Sequence, residues 1–293
     1  MSEPARIMGI YAHPADVATE AAGTMAIHAD QGDELTCVVV SDGIRMHPAL
    51  LHAEGRANPV SADAYREFRR QEVRRAAEII GFTRVEFLGW DAQFFDATDE
   101  RVLALAMVIA EHRPDAVITH YPAAAVLLDS NFFTGVYALR AIRLAASLIP
   151  QIDGAEPHFV KDVFFFLQDQ SMPTRSKVDV PGPVADFFVD TTAVIGRVIH
   201  AFDQFVSQGY HGQAARKIAE AVYGRYGMNA NTSYAEPFML ARSTTYTALP
   251  LAERVTLRTP VTNQFASNDL PGDLLLAAAV ASATPPQADR IPR

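Results

Sequence analysis

The sequence predicts an α/β fold, a mostly parallel sheet with helices on both faces. Two observations carry this. Short apolar runs recur along the first half of the 293 residues, each bounded by turn signals, as in strands buried on both sides. Amphipathic or helix-compatible stretches separate these runs, and strand–helix alternation is the pattern of βαβ units.

Taken in order, Arg6 to Ala12 is the first buried run, and Pro14 places a turn at His13. Val17 to Gln31 reads as a helix stopped by Gly32, and Leu35 to Val40 as the second strand, with Ser41-Asp42-Gly43 turning after it. Residues 44–62 read as a loop. Asp63 to Ile80 is a long amphipathic helix ended by Gly81. Arg84 to Leu88 is a third strand, followed by Gly89-Trp90-Asp91. Asp99 to His112 is a helix, Asp115 to Thr119 a fourth strand ending at His120, and Asn131 to Leu148 a helix. Beyond it, Val160 to Leu167 and Asp186 to Val189 read as strands, and Thr192 to Val206 and Gln213 to Tyr226 as helices. The arrangement is Rossmann-like, with residues 1–249 as one domain. Residues 250–293, rich in Pro, Ala and Thr, form an extension expected to pack on the domain or on a neighbouring subunit of a homo-oligomer.

Composition narrows the partners. With 49% hydrophobic and 20% charged residues the chain is ordinary globular protein. A formal net charge of -9 argues against nucleic acid and against an anionic membrane surface, which leaves a small-molecule substrate. The lone Cys37 lies in an apolar run and reads as buried and inert. Met1-Ser2-Glu3-Pro4 lacks the pattern of a secretory signal, and Leu274 to Ala281 is far shorter than the ~20 residues of a membrane helix, so a cytoplasmic location is expected.

In open parallel sheets, ligands bind outside the carboxyl ends of the strands. Polar residues at those ends are therefore candidates: His13, Asp16, Asp42, Asp91 and His120, with Arg69 able to reach the same edge from its helix. His13 and Asp16, on one tight turn, can point a nitrogen and an oxygen at a common divalent metal. Asp16 as a helix cap, with His13 a plain turn residue, is the competing reading. Arg69 can grip a substrate carboxylate, Asp42 can be a turn residue, and Glu236 is a further possible acid or base.

Several short motifs in order resemble the PIG-L/LmbE-like family. They are His13-Pro14-Ala15-Asp16, Gly23-Thr24, Ser41-Asp42-Gly43, Arg69-Arg70-Gln71-Glu72, Phe87-Leu88-Gly89-Trp90-Asp91, Arg113-Pro114-Asp115 and Thr119-His120-Tyr121-Pro122. Asp190-Thr191-Thr192, Ser207-Gln208 and Tyr234-Ala235-Glu236-Pro237-Phe238 resemble one branch of it, similar to 4-oxalomesaconate hydratase. The resemblance implies a Rossmann-like fold and a zinc or other divalent ion held by His13, Asp16 and a third ligand. In deacetylases of the family, the residue before the second ligand is an Asp acting as base on metal-bound water.

This sequence departs from that pattern twice. Ala15 stands at the base position. The third-ligand position falls in Asp129-Ser130-Asn131-Phe132-Phe133-Thr134-Gly135: alignment on Thr134-Gly135 gives Asn131, counting from His120 gives Ser130, and His120 or water is a further source. The hydratase-like branch also carries Ala before the second ligand. The expected activity is hydration or a lyase step on a small, carboxylated substrate. The alternatives are a metal-dependent N-deacetylase and a non-catalytic or metal-free relative. Deacetylation of N-acetyl sugars is not expected, and Ala15→Asp alone is not expected to restore it.

Overall fold

A computed structural model describes residues 3–45, 61–92, 98–122, 130–167 and 184–243. The extension at 250–293 and the boundary at 249 fall outside the described residues. Seven strands form one sheet in the order β3-β2-β1-β4-β5-β7-β6. They are β1 (Arg6–Tyr11), β2 (Glu34–Ser41), β3 (Arg84–Trp90), β4 (Ala116–His120), β5 (Asp162–Phe166), β6 (Phe187–Asp190) and β7 (Ala235–Leu240). The first five in chain order run parallel, and β7 is antiparallel to both β5 and β6.

Side-chain alternation along the two central strands explains why both faces are covered. Ile7 and Tyr11 of β1, with Leu35, Cys37 and Val39 of β2, enter one core. Met8 and Ile10, with Val38 and Val40, enter the other. The first core is closed by α1 (Asp16–Thr19), α2 (Ala22–Gln31), α3 (Ala62–Ile80), α7 (Ile195–Phe202) and α8 (Gln213–Ile218), the second by α4 (Asp99–His112) and α5 (Ser130–Ala145). Short α6 (Pro150–Asp153) and α9 (Arg225–Ala230) complete the helices of the described residues.

Ends of helices follow local chemistry. Ser61 and Thr98 accept from the amides of Ala64 and Arg101 to start α3 and α4. Gly32 and Gly81 close α2 and α3 in the left-handed conformation.

Three features differ from the expectation. The helix expected over 17–31 is two helices, broken at Glu20-Ala21, because a carboxylate from far along the chain caps the second (below). The strand β7 was not anticipated. Pro237 lies inside it and has no N–H to donate, yet β7 sits between β5 and β6. The helix expected over 213–226 becomes α8, a π-helical stretch over Ala219–Gly224, and α9.

Strand order reverses direction at β1, with β2 on one side and β4 on the other. Such a switch point opens a crevice at the carboxyl ends of its two strands. His13 follows β1 and His120 ends β4, so both flank it.

Candidate active site at the β1/β4 switch point

Asp16 is the hub. Its Oδ2 accepts the His13 amide at 2.7 Å, which closes the turn, and lies 3.3 Å from His13 Nδ1 and 3.2 Å from His120 Nε2. Burial works to raise the Asp16 pKa. The His13 charge and hydrogen bonds from His120 and His13 outweigh it and hold the carboxyl well below the usual range, so Asp16 is a carboxylate at neutral pH. The other His13 nitrogen, Nε2, lies 2.5 Å from Ser130 Oγ. His120 Nε2 also receives the Ala12 amide at 3.1 Å. A backbone N–H can only donate, so a nitrogen that accepts there cannot also donate to Asp16, and the two contacts belong to alternative protonation states of His120.

Helix α5 brings Ser130 to this place. A Cβ on Gly135 would stand 2.3 Å from the His120 carbonyl oxygen, so only glycine lets α5 lie this close to the end of β4. Thr134 Oγ1 donates to the Ser130 carbonyl at 2.7 Å and ties down the first turn. Ser130, not Asn131, therefore meets His13. Asn131, the other candidate for the third ligand, is the next residue of α5. The Asn131 Oδ1 is buried, with no hydrogen-bond partner among the described residues.

The remaining candidates divide. Arg69 is fully buried, donates through Nη1 to the Gly43 carbonyl, and stacks over the Tyr65 ring at 5.5 Å. A Cβ on Gly43, at φ +61, would meet both Pro14 Cδ and Arg69 Nη1, so the guanidinium sits beside the His13-Pro14 turn. Burial lowers its pKa, and Tyr65, Glu72, Asp42 and Asp16 lie within its electrostatic reach. Asp42 is buried, accepts from Arg66 Nε at 2.7 Å and from the Ile44 amide at 3.2 Å, and so orders the turn after β2. Asp91 pairs with exposed Arg45 at 2.7 Å, at the rim.

Glu236 is fully buried at the start of α2. It accepts from the Gly23 amide at 2.8 Å, the Thr24 amide at 2.7 Å and Thr24 Oγ1 at 2.5 Å. It is thus a helix cap delivered by β7, and its acid strength is shifted by burial to about 7. Tyr210 was not singled out from the sequence. It lies within electrostatic reach of both Asp16 and Arg69, and burial raises its pKa. No spacing signal connects it to them.

The donor set does not fit the three-ligand zinc site that the resemblance implies. Two positions keep His13 and Asp16, but the third presents a neutral hydroxyl already bonded to His13. A hydroxyl is a far poorer zinc donor than imidazole or thiolate. His120 does not replace it, since its Nε2 faces the Ala12 amide. Among the described residues no group of three or more His, Cys, Asp or Glu side chains is arranged to hold a metal ion.

Fold and site together define an open α/β scaffold with a polar centre at its switch point. Residues 8–129 match the PIG-L family, described as GlcNAc-PI de-N-acetylase. A 1D-myo-inositol 2-acetamido-2-deoxy-alpha-D-glucopyranoside deacetylase of Streptomyces scabiei is 25% identical over 228 residues, covering 64% of this chain and 69% of its own. A 4-oxalmesaconate hydratase of Pseudomonas putida is 32% identical over 148 residues, covering 50% of this chain and 54% of its own, so the chain spans about half of that relative. Among solved structures, the 4-carboxy-2-hydroxymuconate hydratase of Pseudomonas putida superposes with a TM-score of 0.67 at 23% identity, covering 84% of this chain and 99% of that one. This last likeness concerns the fold.

Proposed function

We propose that the chain is a hydratase or lyase acting on a small carboxylated alkene, with His13 as the proton-transfer group. The carrying observation is the pair of replacements at the centre: Ala15, a methyl group, where amide hydrolysis needs a base, and Ser130 against His13 Nε2 where a ligand would stand. General-base assistance typically contributes ~10²–10⁴-fold, so amide hydrolysis that relies on a carboxylate at position 15 loses most of its rate here.

His13, steered by Asp16 through Nδ1, accepts the proton of the attacking water at Nε2, with Ser130 Oγ as the adjacent hydroxyl. The fixed positive charge of Arg69 behind the turn favours the negative charge that gathers on a conjugated carboxylate as water adds. The similarity to a 4-oxalmesaconate hydratase supports this substrate class. The similarity to a deacetylase over a longer stretch favours a second reading, N-acetyl hydrolysis.

Incubation with conjugated di- and tricarboxylated alkenes, followed by loss of ultraviolet absorbance, separates the two. We expect absorbance loss that His13→Ala abolishes, and no amine release from an N-acetylglucosamine derivative. Robust amine release with unchanged alkene absorbance would overturn the reading.

A further inference from the structure

We infer that Ser130 is a nucleophile, and that Ser130, His13 and Asp16 form a metal-independent acyl-transfer triad. Ser130 Oγ lies 2.5 Å from His13 Nε2, and His13 Nδ1 lies 3.3 Å from Asp16 Oδ2. The Nε2 tautomer that accepts the serine proton leaves Nδ1 facing the Asp16 carboxylate at 3.3 Å, close enough for the carboxylate to favour the cationic ring that forms. That is the division of labour of a serine hydrolase triad, which is recognised by geometry and roles rather than by chain position. Asp16 is fastened independently by the His13 amide, so the histidine has a rigid orienter.

The site suits an ester of a small acid, with the Arg69 field favouring acyl groups that carry a second carboxylate. The inference shares His13, Asp16, Ser130 and the Arg69 charge with the proposed function, and differs in making Ser130 the attacking atom.

The reaction balances without a cofactor. Ser130 Oγ bonds to the carbonyl carbon while its proton passes to His13 Nε2 and the π pair moves to the oxygen. As that pair returns, the bond to the leaving alcohol breaks and the alcohol takes the proton from His13. Water then bonds to the acyl carbon and gives its proton to His13, and Ser130 departs with that proton. The sum is ester plus water to acid plus alcohol.

The test uses the full chain, p-nitrophenyl acetate and a fluorophosphonate, with and without chelator. We expect a nitrophenolate burst of one per chain and a single phosphonyl adduct on the peptide containing Ser130, both indifferent to chelator. Ser130→Ala should abolish the adduct, and Asp16→Asn should slow labelling by ~10²-fold or more, as loss of the orienting carboxylate does in such triads. Ser130→Cys should redirect labelling to iodoacetamide at residue 130, which guards against a variant that fails merely by misfolding. A native-folded chain that carries no adduct at Ser130, an adduct that persists in Ser130→Ala, or a burst removed by chelator would overturn the inference. Alkene hydration by Ser130→Ala is read in parallel: survival there with loss of labelling keeps the two activities distinct, so either can fail alone.

Discussion

At residue 236, a carboxyl group with no access to solvent holds the start of α2, and its acidity has a consequence for stability. The Glu236 carboxyl is pushed up from the usual 4.5 to about 7, because burial penalises the charged form more than the Thr24 and Gly23 hydrogen bonds favour it. Between those values the folded state binds more protons than the unfolded state. Stability is therefore greater below pH 4.5 than above pH 7 on account of this group, and it falls as pH rises through that window by up to roughly 3 kcal/mol. Urea unfolding across pH 4.5 to 8 should show this decline, and Glu236→Gln should flatten it. Gln cannot accept from all three donors, so the variant should also start lower by about 1–3 kcal/mol. An unchanged slope in the variant would contradict the account. The sequence marks Glu236 as an acidic candidate but not as a cap, because its partners Gly23 and Thr24 lie 213 and 212 positions away. Ser130 was legible only as one of two neighbours. A shift of one residue turns a side chain by ~100° around a helix, and spacing alone does not fix that phase.

At the scale of elements, strand–helix alternation carried the parallel half of the sheet, since β1 and β2 are apolar on both faces and their helices end at glycines. The antiparallel part was harder to read. Pro237 argues against a central strand, yet β7 tolerates it by accepting at its carbonyl from Leu167 rather than donating. The break between α1 and α2 was invisible for a related reason, because the residue that caps α2 comes from β7. Helix α5 offers a direct check on how an element places the site. Gly135→Ala forces a methyl group against the His120 carbonyl, which is backbone and cannot swing aside. We expect destabilisation of about 1–3 kcal/mol, the usual cost of overpacking. We also expect a loss of Ser130 labelling larger than the lost stability explains, since α5 must move off β4. Calorimetric unfolding together with fluorophosphonate labelling reads both. A variant with native labelling would show that α5 position does not govern the site.

For the whole molecule, the sheet supplies a crevice and the chain decides which chemistry fills it. The carboxyl edge of the sheet was readable from strand ends, though the β1/β4 switch point was not, and the described structure gathers His13, Asp16 and His120 there. Asp42 and Asp91 also stand at strand ends, but they are engaged with Arg66 and Arg45. The central claim is that this centre works through His13 and Ser130 and lacks the three-ligand zinc site implied by the PIG-L resemblance. Changes in groups that merely support ligands already cost ~10–100-fold in metal affinity, so replacement of a ligand by a hydroxyl costs more. The most direct measurement is calorimetric zinc titration of the metal-free full chain beside Ser130→His and His13→Ala. The account predicts no saturable one-per-chain binding in the unaltered protein, and its appearance in Ser130→His. Tight uptake of one zinc per unaltered chain, lost on His13→Ala and indifferent to Ser130, would contradict it.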